Sequence, residues 1–338
     1  MKKAIVLVLA LFLCAHLFEI VSAQDFTVSY IKDGKIKKCI RLLNDRQYAH
    51  KARVQLVREG KVAVPYLANA LYLPDTSGSA KIRIINILGQ IEDDEATDVL
   101  IEMLKSENVK VRRAASKALG RIKDKKATGA LKQSLKDEDS TVRFNAVRSL
   151  EQTSDAAAAG ALMEILDDKD PSMRMYAIKA LGKIKYKGAI GALSKMTDDP
   201  DWSVRIQVAR SLGSIADKAC VPALAKIANG PYVSESIQAI HSLGRIKCRE
   251  SLDIISESAT SKVKEVRLYS AIALGDLGYN EAVPVLKKLL QDENTNVRIA
   301  AADSLAKIGT DDAKEALRTV LNDEISRVRN VASRFVKK

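Results

Sequence analysis

Histidine, tryptophan and cysteine are scarce in this chain. Its 338 residues include three histidines, one tryptophan and four cysteines, and aromatic residues make up 4%. The first histidine, His16, lies in an N-terminal segment set apart below, which leaves His50 and His241 far apart in sequence. No H-E-x-x-H, no His-Glu pair and no C-x-x-C occurs, so the local spacings that hold a transition metal are missing. No G-x-G-x-x-G follows a strand-like run, which removes the dinucleotide-binding loop. Serines and carboxylates are plentiful but scattered, so no unique catalytic pocket is implied. The expectation is a protein that is not an enzyme and uses no cofactor.

Long apolar runs are also lacking, with one exception at the start. "MKKAIVLVLALFLCAHLFEIVSA" (1–23) has two lysines, an apolar stretch from Ala4 to Phe18, and a Val-Ser-Ala end. That layout is a secretory signal with cleavage expected after Ala23. The stretch closes at Glu19, short of the roughly 20 apolar residues that a membrane span needs. Leu13 precedes Cys14, so the small residue a lipid anchor wants is absent. The mature chain is expected to be exported, periplasmic or extracellular, and not membrane-spanning. Loss of Lys2, Lys3 and Glu19 lowers the formal charge from +13 to +12. Outside the cell so basic a chain meets little nucleic acid, and an acidic protein or an anionic envelope component is the expected partner.

What the sequence does contain is one paragraph, repeated. "VRRAASKALGRIKD" from Val111 returns as "VRFNAVRSLEQTSD" from Val142 and "VRIQVARSLGSIAD" from Val204. The grid of 31 runs through 80, 111, 142, 173, 204, 235, 266, 297 and 328 without insertion or deletion. Eight residues past the grid, leucine recurs at Leu88, Leu119, Leu150, Leu181, Leu212, Leu243, Leu274 and Leu305. Apolar residues at 0, 4, 8 and 11 trace one helical face, here named helix B. A second helix, A, carries Leu100, Leu131, Leu162, Leu193, Leu224, Ile255, Leu286 and Leu317. Acidic turns such as "DEDST" (137–141) supply residues suited to helix N-termini. Neither helix buries its apolar face alone, whereas stacked hairpins bury it continuously. The fold class predicted is all-α, an α-solenoid of about ten hairpins. Residues 24–60 form its N-terminal capping hairpin and 61–338 the repeats, with 311–338 as the C-terminal cap.

The unit D-x₄-V-R-x₂-A-x₃-L-G-x-I, with "AVPxL" in its partner helix, resembles the HEAT repeat. More narrowly, it is similar to the short HEAT-like repeats of phycobilin lyase subunits, over roughly residues 35 to 338. The resemblance implies the solenoid and, for most such proteins, the binding of other proteins. A phycobilin-lyase-like enzyme or enzyme subunit is the alternative that it implies. A nucleic-acid-binding HEAT-like protein is a further one, which requires the N-terminal signal to be false. Iron-dependent HEAT hydroxylases use His-Glu motifs that this sequence lacks.

Several recurring residues read as structural. Arginine follows the grid at Arg112, Arg143, Arg174, Arg205, Arg267, Arg298 and Arg329, and aspartate stands five residues before it at Asp137, Asp168, Asp199, Asp292 and Asp323. That pattern predicts an Asp–Arg ladder between neighbouring repeats. Gly89, Gly120, Gly182, Gly213, Gly244 and Gly275 sit inside helix B and predict close approach of a neighbouring helix, with looser packing at Glu151 and Ala306. The repeat on 235 breaks the pattern: Glu235-Ser236 replaces Val-Arg, and "NGPYVS" replaces the acidic turn. The ladder is expected to be missing there. Cys220 and Cys248 flank that hairpin, and two arrangements fit, a disulfide or two buried thiols too far apart to bridge. Cys39 reads as a core residue.

The candidate partner-binding face lies on helix B. Six residues past the grid stand Lys117, Arg148, Lys179, Arg210 and His241, followed by Ile272 and Asp303. Arg121, Lys183 and Arg245 lie alongside at position 10, Tyr176 at position 3, and Trp202 at the edge. A charged face is usually mere solvated surface with both signs interspersed, but a row of one sign is less usual. Arginine and aromatic residues together are also the types that dominate binding hot spots. The predicted site is therefore the B face of repeats 111 to 235, centred on Arg148, Lys179, Arg210 and Trp202.

Overall fold

The computed structural model describes residues 33–336, so the 1–23 signal and the closing lysines at 337–338 lie outside the described residues. The described chain is all-helical and consists of stacked hairpins, an α-solenoid. It falls into two compact units, one up to Ser149 and the other from Leu150 on.

The period of 31 maps onto the helices as the leucines require. Helix B is a stretch of 13 or 14 residues, as in Val109–Ile122, Trp202–Ile215 and Thr295–Ile308. In several repeats its N-terminus is capped by a side chain that accepts from the amide two residues on: Asn108 from Lys110, Asp170 from Ser172, Asp201 from Ser203. Each such bond satisfies one of the amides that the first helical turn leaves without an acceptor. The residue ending helix B turns left-handed at a spacing of 31: Glu92, Lys123, Ser154, Lys185, Ala216, Lys247, Gly278 and Gly309 all have positive φ. Only the last two are glycine, the residue that this conformation favours.

Helix A is shorter than the pattern suggests. In most repeats it opens with a short 3₁₀ turn, as at Lys125–Ala127, and then runs six to eight residues, as in Thr128–Ser134, whereas Arg249–Ser258 runs ten residues without such a turn. The Asp before that turn caps it, Asp124 accepting from the Lys126 amide at 2.9 Å. All eight helix-B leucines and all eight residues of the helix-A series are fully buried. At the front, a helix over 33–42 and the helix Ala49–Glu59 form the first hairpin within the predicted 24–60 cap. Asp311–Arg318 and Ser326–Val336 form the last one.

The helix-B glycines mark close approach, as their repetition predicts. A Cβ built on Gly89 would stand 2.9 Å from the Ala118 Cα, and one on Gly182 2.8 Å from the Ser211 Cα. Gly213 and Gly275 meet Ser242 and Ser304 in the same way. In each case the neighbour is the residue 29 positions on, in the next B helix.

Candidate functional site

The grid arginines are structural. Arg112 donates from Nε and a terminal nitrogen to Asp137 at 2.8 and 3.1 Å, and Arg174 to Asp199 at 2.8 and 2.7 Å. Arg267 pairs with Asp292 in the same bidentate manner at 2.6 and 3.0 Å. The remaining terminal nitrogen of Arg174 donates to the Asp168 and Lys169 carbonyls of its own turn. Each arginine therefore ties its own turn to the next one, and none of these three is free for an external anion. Burial pushes the Asp137 and Asp292 carboxyls up, but the Arg112 and Arg267 hydrogen bonds, with help from backbone amides, hold both below the ordinary range.

The repeat on 235 corrects the expectation that the ladder fails there. Glu235 accepts from Arg205 at 2.9 and 2.7 Å, and both side chains are largely buried. An acid at the grid position, one methylene longer than Asp, reaches the guanidinium that Gly230 cannot serve. Tyr232 adds a stacking partner, its ring centroid 4.7 Å from the Arg205 guanidinium carbon. The missing arginine at 236 does leave a gap. Ser236 Oγ, in its place, lies 3.1 Å from the Tyr232 carbonyl and 3.4 Å from that of Gly230.

Of the two arrangements open to Cys220 and Cys248, the disulfide is not the one adopted: Cys39, Cys220 and Cys248 are free thiols, Cys220 buried and the other two half-buried. Cys248 stands where Asp217 stands one repeat earlier, as the residue before a helix A, and its Sγ lies 3.2 Å from Ser251 Oγ. Ser251 is itself the counterpart of the buried Cys220. Cys248 thus contacts the helix that follows it, Arg249–Ser258.

The basic face is exposed as the pattern requires. In the first unit, Lys117 and Arg148 both reach solvent. In the second, Lys179, Arg210 and His241 are exposed on three successive B helices. These helices enclose an open groove of about 440 Å³, lined by Lys179, Lys183, Arg210, His241 and Arg245 among glutamine and serine side chains. The Lys179 Nζ lies 5.8 Å from the Tyr176 ring centroid, and Arg210 Nε donates to Gln238 at 2.9 Å. Trp202 is strongly exposed, but on the first turn of its helix and outside this groove. Gln207 and Gln238, unmarked by the charge pattern, complete the lining with Ser211 and Ser214.

One acid belongs to the groove's charge balance. Glu151, at a glycine position of the repeat, is buried, with its carboxylate 3.6 Å from the Lys179 Nζ and 3.4 Å from that of Lys183. Lys183 also donates to the Glu151 carbonyl at 3.0 Å. Two of the four long cations are thereby held in place and partly compensated. Arg210 and Arg245 have no carboxylate partner among the described residues. Groups of His, Cys, Asp or Glu able to hold a metal ion are not found among the described residues, and none of their helices is long and apolar enough to cross a membrane.

A helical repeat protein that displays a graded surface along one row of helices is the class defined here. Its family is equally plain: the chain belongs to the HEAT repeats, whose model matches residues 64–151, 128–202, 161–243, 191–266, 235–291 and 255–334. Among solved structures, an engineered protein from the Northeast Structural Genomics Consortium is 22% identical with a TM-score of 0.54, over 90% of this chain and 98% of that one. The complex of CpcE and CpcF of phycocyanin lyase from Nostoc sp. PCC7120 is 23% identical with a TM-score of 0.41, over 72% and 93%. Human deoxyhypusine hydroxylase in complex with glycerol is 21% identical with a TM-score of 0.34, over 74% and 98%. The first likeness is one of fold, and the other two are too slight for any activity to transfer. No curated protein matches the chain at a significant level.

Proposed function

We propose that this chain is an exported, non-catalytic HEAT-repeat scaffold that captures an acidic protein or anionic envelope component on its helix-B face. The observation that carries this reading is the groove in which Lys179, Lys183, Arg210 and Arg245 converge with His241 against a single carboxylate, Glu151. Like charges gathered on neighbouring helices raise a local potential that draws in anions and orients their approach. The capture surface is centred on Lys179, Arg210 and Arg245 of the second unit. Export rests on the pattern of residues 1–23, and the absence of catalysis on the scatter of reactive side chains over repeat positions.

The test uses a fluorescent hexaglutamate peptide in an anisotropy titration. Binding is expected to weaken steeply with added salt and to disappear in the Lys179→Glu, Arg210→Glu, Arg245→Glu triple variant, with helicity unchanged. Undiminished binding by that variant refutes the assignment. Mass spectrometry of the protein recovered from outside producing cells is expected to find Gln24 as the first residue.

A further inference from the structure

Position 6 of helix B changes character along the second unit. Lys179, Arg210 and His241 are followed by Ile272 and then Asp303, and all five are exposed. The helices Val233–Ile246 and Lys264–Leu277 pack directly against each other, so the apolar position is the immediate neighbour of the basic groove. Between Lys264–Leu277 and Thr295–Ile308 lies a second open groove of about 450 Å³, whose apolar lining is Leu268, Ile272, Ile299 and Ala300. Ile272 is 39% exposed there. The acids of this groove are already partnered, Asp276 with Lys307 and Asp303 with Arg327. Its floor is apolar and its rim close to neutral.

A single exposed isoleucine means little, because apolar atoms make up much of any protein surface. The informative feature is order: three cationic helices, then a greasy one with its rim charges cancelled. We propose that the helix-B face recognises a bipartite segment, with carboxylates over Lys179–Arg245 and a bulky apolar anchor in the Leu268–Ile272–Ile299 groove. This inference rests on the acidic-partner reading and gives that partner a sequence pattern. Packed helices stand about 8–10 Å apart, and an extended chain advances about 3.3 Å per residue. Each repeat is thus crossed by about three residues of ligand. The carboxylates occupy about six residues, with the anchor about three beyond them.

Three labelled peptides test this in anisotropy titrations of the full chain: hexaglutamate, hexaglutamate followed by Gly-Gly-Leu-Leu, and Leu-Leu-Gly-Gly followed by hexaglutamate. One of the two leucine peptides is expected to bind about tenfold more tightly than hexaglutamate, the scale for seating one or two apolar side chains. Ile272→Ser is expected to remove that gain while leaving hexaglutamate affinity as it was. Arg210→Glu is expected to weaken all three. No gain from either leucine peptide, or a gain that survives Ile272→Ser, overturns the bipartite pattern, while Arg210-dependent hexaglutamate binding keeps the acidic-partner reading alive. Failure of every peptide to bind overturns both.

Discussion

Replacing Glu235 by alanine would strand the Arg205 guanidinium. The two side chains are 8% and 12% exposed, and their bidentate contact is 2.7 and 2.9 Å long. Removing one partner of a buried pair costs about 3–5 kcal/mol, because the other charge stays buried without compensation. Arg205 keeps part of its company: the Asp199 carbonyl at 2.6 Å, that of Pro200 at 3.2 Å, and the Tyr232 ring. The expected loss is therefore nearer 2–3 kcal/mol. Repeat arrays open locally, so the readout is hydrogen exchange of amides in and around 229–236 alongside urea denaturation followed by circular dichroism. Gly230→Asp with Glu235→Val rebuilds the ordinary rung, 25 residues from its arginine as in Arg174–Asp199. A Cβ at Gly230 would stand 3.1 Å from the Ile227 carbonyl, so a small backbone shift comes with it. The double variant should regain at least half of the loss. A loss below about 0.5 kcal/mol in Glu235→Ala, the scale of an ordinary surface change, refutes the reasoning, as does a double variant no better than the single one.

Four further outcomes are expected. Gly182→Ala should destabilise by about 1 kcal/mol in urea despite alanine's better helix propensity, because a Cβ 2.8 Å from the Ser211 Cα forces backbone apart. Ala216→Gly should stabilise by about 1 kcal/mol in the same assay, since φ is 56° there. The Asp137, Asp139 and Asp292 carboxyls are held low, Asp139 at about 2 chiefly by the Arg113 hydrogen bond, so they contribute stability above 3.8 that is lost as pH falls through their folded values. An acid titration followed by circular dichroism should show that loss, shallower in Asp137→Asn. Glu151→Gln should release Lys179 and Lys183 from their counter-ion and tighten hexaglutamate binding about three- to tenfold at low salt, measured by anisotropy.

The fold was legible because its period is enforced by burial. A leucine that is fully buried in every repeat cannot drift without emptying the core, so Leu88 through Leu305 and Leu100 through Leu317 announce both helices. The glycines announce their neighbours for the same steric reason. The left-handed residue ending helix B was not legible, because Glu92, Lys123, Ser154, Lys185, Ala216 and Lys247 carry no compositional sign of positive φ. The 3₁₀ turn opening helix A was hidden too. It is a tight turn of three residues, capped by Asp in several repeats as at Asp124, and neither feature alters the apolar spacing.

At the site, the row of cations could be read and the acids that govern it could not. Glu235 and Glu151 both looked like defects, one in the grid and one in the glycine series. Periodicity records what each position usually does, and an acid that leaves its usual role can take a partner in the adjacent repeat. Glu235 does so by serving Arg205, which keeps the ladder closed where its aspartate is missing. Glu151 does so by drawing in Lys179 and Lys183 from beneath the basic row. The positive surface is thereby uneven. Two lysines are tethered at one side of the groove, and the uncompensated charge lies toward Arg210 and Arg245. That side is also the one adjoining Ile272 and the apolar groove, so the strongest pull on a carboxylate falls next to the place where an apolar anchor would seat. The order of side chains from Lys179 to Ile272 already gives the face a direction, and the misplaced acid sharpens it by weakening the charge at the far end.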